Sequence, residues 1–182
     1  AISESNFFTA HVSMAAFSWP VTASSSARII GADGAKSQVA RQAGVEGAKD
    51  TQYVFAYHEI VKTPEDMVQT ESDPSRCDVY YRGSLSPDFY GWVFPHGDTL
   101  SVGTGSADKG FSLKGAVERL RQTTGLQGAE VLRREGAPLP MKPLPRWDNG
   151  RDIVLAGDAA GVVAPASGEG IYYAMVGGQL AA

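Results

Sequence analysis

The stretch IVLAGDAAGVVAPASGEGIYYAM, Ile153 to Met175, decides how the rest of the chain is read. It runs from a short apolar segment through Gly157-Asp158 and a series of small residues into a glycine-rich helix entry. Ile153-Val154-Leu155-Ala156 is too short and too apolar for a surface helix and reads as a buried parallel strand. Asp158 then sits at the carboxyl end of that strand, the edge at which open α/β sheets bind ligands. A carboxylate there accepts hydrogen bonds from sugar or ribityl hydroxyls, and Ala159, Ala160 and Gly161 leave room for a ligand to approach the backbone. Ser167-Gly168-Glu169-Gly170 opens a helix whose free N–H groups and positive dipole end favour negative charge. The pyrimidine ring of a reduced flavin carries such charge. The order therefore predicts a flavin-nucleotide cradle, with Gly157, Asp158, Ala159, Gly161, Gly168 and Gly170 facing the cofactor. Gly-Asp alone reads as well as a turn before a capped helix; the complete glycine-rich run favours the cradle.

An earlier stretch repeats the plan. ARIIGADGAKS, Ala27 to Ser37, is again a short apolar strand, a tight Asp33-Gly34 turn and a helix start that runs to about Gly44. Asp33 either caps that helix or contacts a pyrophosphate through nearby amides. A lone Asp-Gly turn is a weak signal. Its pairing with the later run, across a stretch long enough for another domain, makes it a strong one.

Asp33-Gly34 and Gly157-Asp158 resemble the second and third flavin-binding signatures of the FAD-dependent oxidoreductases that include aromatic hydroxylases and geranylgeranyl reductases. Pro87-Asp88-Phe89-Tyr90-Gly91-Trp92-Val93-Phe94-Pro95 resembles the aromatic motif of the reductase branch. Arg146-Trp147-Asp148-Asn149-Gly150 is similar to its chlorophyll and bacteriochlorophyll members. The resemblance runs from about Ala27 to Met175. It implies α/β plus antiparallel β: a partial FAD-binding domain of the glutathione-reductase-like Rossmann type, with an inserted antiparallel-sheet substrate domain. The chain departs from the family at its front, where no G-x-G-x-x-G fingerprint occurs; Gly103-x-Gly105 lacks the third glycine and a fitting βα unit. Residues 1–26, with their serine-rich end, read as a linker or a foreign sequence. The last helix is still running at Ala182, so the expectation is an internal piece of a longer enzyme that holds FAD poorly alone.

Residues 27–50 and 146–182 are assigned to the FAD-binding domain and 51–145 to the substrate domain. Within the latter, Gln52–Val61 and Cys77–Arg82 read as strands, and Phe89–Phe94 with Thr99–Thr104 as a hairpin across Pro95-His96-Gly97-Asp98. Leu113–Arg121 has helical spacing and covers one sheet face. Ala129–Pro140 returns as a strand, and the proline-rich Pro138–Pro145 is a stiff crossing.

Composition narrows the function classes. The chain has 182 residues and a net charge of -4, enough for a buried core and without the basic footprint of a nucleic-acid binder. Its single cysteine, Cys77, excludes an intramolecular disulfide framework. His11, His58 and His96 lack ligand spacing, so no metal site is expected. No segment approaches a membrane span, and the start lacks the basic region of a signal peptide.

Alternation along Tyr90-Gly91-Trp92-Val93-Phe94 sends Tyr90, Trp92 and Phe94 to one face, either as ordinary sheet core or as an apolar wall for substrate. The resemblance favours the wall. It implies a polyprenyl substrate, FAD and NADPH as cofactors, and saturation of isolated double bonds of a geranylgeranyl group. Tyr90 is the weak candidate for the proton donor, beside water. A cytoplasmic enzyme with peripheral contact at photosynthetic membranes is the expectation for the full-length protein. An aromatic hydroxylase of the same fold and a non-catalytic truncated remnant are the alternatives.

Overall fold

A computed structural model describes residues 28–65 and 76–182. The expectations for residues 1–26 lie outside the described residues. The chain divides into two compact units, one formed by Tyr53–Leu139 and the other by the chain on either side, up to Gln52 and from Pro140.

The flanking unit is built on two short strands, β1 (Ile29–Gly31) and β7 (Ile153–Leu155), paired in parallel with Ile29 opposite Ile153 and Gly31 opposite Leu155. Helix α1 (Gln38–Gln42) follows β1, and a 3-10 turn, Gly157–Ala160, follows β7. Helix α3 (Ile171–Ala181) closes the chain. Ala40, Val45, Ala48, Leu144, Leu155 and Ala160 form the core. Leu144 packs in this core, so the returning chain joins the flanking unit from Pro140 onward, and the intervening unit ends at Leu139. Helix α3 is apolar all round, yet Ile171, Tyr172, Met175 and Leu180 are exposed and none of its residues is buried.

The intervening unit is a five-stranded sheet in the order β3 (Asp78–Tyr80), β4 (Gly91–His96), β5 (Thr99–Ser106), β2 (Tyr53–Lys62) and β6 (Val131–Pro140). The hairpin between β4 and β5 is tighter than the sequence suggested. Pro95 pairs with Leu100 and His96 with Thr99, leaving Gly97-Asp98 as the turn, with Gly97 at φ +72°. Tyr90 precedes β4 and does not belong to it. Strand β6 lies at an edge, the position that tolerates Pro138 and Pro140, which lack a ladder donor. Its Arg133, Arg134 and Glu135 also discourage pairing with another chain.

Helix α2 (Leu113–Thr123) covers one face of this sheet. Ser112 caps it by accepting from Gly115 N at 3.2 Å, and the helical spacing of Ala116, Val117 and Leu120 buries all three completely. Val117 and Leu120 pack with Val61, Leu85, Val93, Leu100, Val102 and Leu126.

One charged group sits inside this layer. Glu59, 5% exposed, accepts from Arg121 at 2.8 Å, Arg134 at 3.2 Å and the Tyr57 hydroxyl at 2.9 Å. It thereby ties β2 to α2 and β6. Removing it leaves the poorly solvated Arg121 guanidinium with carbonyl acceptors at Leu126 and Ala129 but no counter-charge, so Glu59→Ala should cost about 3 kcal/mol in urea unfolding. Arg146→Ala, which breaks an exposed pair with Asp148, should cost less than about 1 kcal/mol.

Candidate functional site: a flavin edge and an aromatic sheet face

Parallel pairing places the carboxyl ends of β1 and β7 side by side, with Ala156 N donating to Gly31 O at 2.9 Å. A Cβ on Gly31 would lie 2.6 Å from Leu155 Cδ2 and 3.0 Å from Val39, so only glycine lets the strand pair and α1 close up. The loops that carry Asp33 and Asp158 leave from these adjacent ends. They share one small, open pocket lined by Ala35, Ser37, Ala48, Leu144, Asp158 and Ala159 among others.

The two aspartates differ in state. Asp33 resolves its open alternatives toward capping: its carboxylate accepts from Gln38 N at 2.7 Å, Val39 N at 3.2 Å and the Ser37 hydroxyl. Ser37 Oγ in turn accepts from Ala40 N at 2.9 Å. The first-turn amides of α1 are therefore satisfied from within the chain. Asp158 is half-buried, and among the described residues no donor reaches its carboxylate. Burial raises its pKa above the ordinary 3.8. An unpaired, partly desolvated carboxylate costs free energy unless a ligand donor meets it.

The small residues divide between packing and access. Ala160 is fully buried and Ala159 3% exposed. Gly161, at φ +73°, closes the 3-10 turn, and a Cβ there would lie 2.5 Å from Lys142 O. Its glycine is demanded by the chain's own backbone, whatever approaches from outside. Gly157 is buried and packs toward Ala174. Gly34 has open space beside it. Gly168 lies in the turn that starts at Ala164, and Gly170 is the N-cap of α3, where a Cβ would sit 3.1 Å from Asp158 Oδ1. Glycine at 170 keeps that carboxylate unobstructed. Tyr172 N is taken by the Glu169 carboxylate at 2.9 Å, so this first-turn amide, expected to be open for a flavin, is occupied by the chain's own Glu169.

In the other unit the rings line up as the alternation required. Tyr90 lies 6.0 Å from Trp92 and Trp92 6.1 Å from Phe94, and Phe89 stacks on Tyr90 at 4.3 Å. Gly91 and Val93 turn to the other face, toward Leu120 and the α2 core. The ring face is shaped by glycines that sequence reading set aside as a failed nucleotide fingerprint. A Cβ on Gly103 would fall 2.2 Å from Trp92 Cζ2, and one on Gly105 3.0 Å from Phe89 Cδ1. The indole lies flat across Gly103, its cross-strand partner. Burial raises the Tyr90 pKa above 10.0, with Tyr81 adding to it, which keeps the phenol protonated and makes it a weaker acid.

Sequence reading missed His58, Ser101 and Glu135 on this face. Ser101 Oγ accepts from Trp92 Nε1 at 3.0 Å and lies 2.8 Å from His58 Nδ1, while His58 Nε2 meets Glu135 Oε2 at 3.0 Å. Alternation in β2 sets His58 opposite in facing to Glu59, but only the strand register brings it to Trp92.

The unpaired Asp158 carboxylate carries a pH test. Its folded pKa is raised, so the folded chain binds a proton more tightly than the unfolded one and is penalised at neutral pH. Asp158→Asn should raise the unfolding temperature of the flavin-free protein at pH 7. The gain should shrink as the pH falls and vanish below the unfolded value of 3.8, where both states are protonated. Calorimetry across that range measures it.

Residues 24–177 match the FAD binding domain family. The chain is 58% identical to a geranylgeranyl diphosphate reductase of Rhodobacter capsulatus, over 85% of this chain and 38% of the relative. It is 42% identical to a chloroplastic geranylgeranyl diphosphate reductase of Oryza sativa subsp. japonica, over 85% of this chain and 32% of that protein. It thus spans well under half the length of these relatives. Among solved structures, a geranylgeranyl bacteriochlorophyll reductase-like protein from Thermoplasma acidophilum superposes with a TM-score of 0.68 at 26% identity, covering 85% of this chain and 39% of that one. An aklavinone-11 hydroxylase in complex with FAD and aklavinone shares the fold alone, with a TM-score of 0.56 at 24% identity, covering 85% of this chain and 30% of that one. With its parallel strand pair, its twin aspartate loops and its inserted sheet, the chain belongs to the FAD binding domain family.

Proposed function

We propose that the full-length protein is a flavin-dependent reductase that saturates isolated double bonds of a geranylgeranyl group, on a (bacterio)chlorophyll or a diphosphate, to phytyl, with NADPH as the electron source. The row of rings Phe89, Tyr90, Trp92 and Phe94 on the sheet face away from α2 carries this reading. The names of the relatives support it. The residues at the flavin edge fit FAD: Asp158 is an unpaired acceptor, and Gly170 leaves it accessible. Asp158 accepts from a cofactor hydroxyl, and the Asp33-Gly34 and Gly157–Gly161 loops shape the pocket between them. When bound, the reduced flavin supplies the hydride that alkene reduction needs.

An isolated alkene has no carbonyl to polarise, so this chain's contribution is to bind, align and keep dry. A polyprenyl chain gains affinity from area removed from water, at about 25 cal/mol per Å². Trp92 and Phe94 offer ring faces for that burial and for positive charge developing on carbon. The Tyr90 phenol, protonated at neutral pH, holds a proton beside the wall; as a weak acid it can release it to carbon only as the hydride arrives, and water is the other source. Hydride to one carbon and a proton to its neighbour balance the reduction. Among the described residues no helix is long and apolar enough to cross a membrane. A polyprenyl substrate then calls for peripheral contact with a photosynthetic membrane from the cytoplasmic side.

The test is anaerobic. Full-length protein with NADPH and geranylgeranyl diphosphate should yield hydrogenated product by mass spectrometry. Trp92→Ala should weaken substrate binding by about 1 to 3 kcal/mol and leave flavin reduction by NADPH unchanged. A product that appears only with oxygen, and contains it, would instead establish a hydroxylase. Loss of both steps in Trp92→Ala would make Trp92 a packing residue.

A further inference from the structure

On the ring face Trp92, Ser101, His58, Glu135 and Arg133 form one connected polar chain. Hydrogen-bond inventory fixes its direction. An indole N–H is only a donor, so Trp92 Nε1 donates to Ser101 Oγ at 3.0 Å. An ionised carboxylate is only an acceptor, so the His58 nitrogen 3.0 Å from Glu135 must carry the proton. In the neutral ring this leaves Nδ1 with its lone pair, and the Ser101 hydroxyl 2.8 Å away donates to it. Glu135 is itself oriented by Arg133 at 2.7 Å through its other oxygen. Ser101 is 5% exposed, so it has neither room nor solvent to satisfy its hydroxyl otherwise.

Gly103 lets the indole lie directly on the backbone, between the rings of Tyr90, Phe94 and His58, and such apolar contacts carry little direction. The polar chain adds the one directional restraint, at the indole N–H. We propose that His58, with its tautomer set by Glu135, is a positioning residue that holds the Trp92 indole in one tilt through Ser101. That tilt selects which isoprene unit of a branched polyprenyl chain seats on the wall. The selectivity rests on the reductase reading above; the positioning does not.

Two measurements on the full-length protein separate them. Nitrogen-15 NMR, with the Trp92 indole assigned by its loss in Trp92→Phe, reports the His58 tautomer and the exchange of the indole N–H. At a pH where imidazole is neutral, His58 should carry its proton on Nε2. Glu135→Ala, on a partly exposed edge-strand residue, should mix the tautomers and speed Trp92 N–H exchange by about tenfold, as loss of one restraining hydrogen bond implies. Ser101→Ala should do the same, and His58→Gln, which keeps an acceptor for the hydroxyl, should restore slow exchange. An Nδ1–H tautomer, or a Trp92 exchange rate indifferent to Glu135→Ala, overturns the proposal. In the same variant, KM for geranylgeranyl diphosphate should rise by about tenfold with flavin reduction by NADPH unchanged. Normal coupling in the spectra with an unchanged KM would uphold the positioning and overturn the selectivity and the wall on which it rests.

Discussion

The parallel pairing of Ile29–Gly31 with Ile153–Leu155 is the constraint on which the rest depends. Two strands of three residues each, on either side of the intervening unit in sequence, must lie in register for the Asp33 and Asp158 loops to leave from one edge. Such pairing is slow and costly to form, because the chain between must be closed into a loop before any contact rewards it. The chain between them is itself a compact unit, Tyr53–Leu139. Gly31 and Leu144 finish the job locally: the first lets α1 and Leu155 close on the strand, and the second anchors the returning chain.

The inserted sheet solves a different problem. It covers one face with α2 and pins that cover with Glu59, while the opposite face keeps large rings that a folding core would ordinarily consume. Glycine at 103 and 105 makes this possible, since rings can lie flat only where no side chain stands beneath them. A flat indole is a good apolar platform, but contacts between apolar faces give it little direction. The Ser101–His58–Glu135 chain answers that weakness at modest desolvation cost, because His58 and Glu135 remain partly exposed.

Much of this layout was legible in the sequence where the signal was local. The Gly157-Asp158 run, the Asp33-Gly34 turn, the spacing of Leu113 to Arg121 and the alternation of Tyr90, Trp92 and Phe94 each carry their meaning within a few residues. What escaped was set by register or by competition within the chain. Gly103 and Gly105 acquire a role only opposite Trp92 and Phe89, and His58 only beside Ser101. Asp33 could cap or bind; its carboxylate takes the amides of Gln38 and Val39 at the start of its own helix. Glu169 reached the α3 amide first for the same reason. Pro95 and His96 looked like turn residues, yet the two-residue Gly97-Asp98 turn needed them in the ladder.

The most direct measurement is the FAD dissociation constant of the full-length protein and its Asp158→Ala variant, by quenching of flavin fluorescence. Loss of a charge-assisted hydrogen bond of about 1.5 to 3 kcal/mol should weaken binding by roughly tenfold to a hundredfold. The variant should keep its fold, because no group of the described chain depends on that carboxylate. An unchanged constant would contradict the account, since it would mean that the half-buried Asp158 carboxylate, which no donor reaches among the described residues, does not hold the flavin.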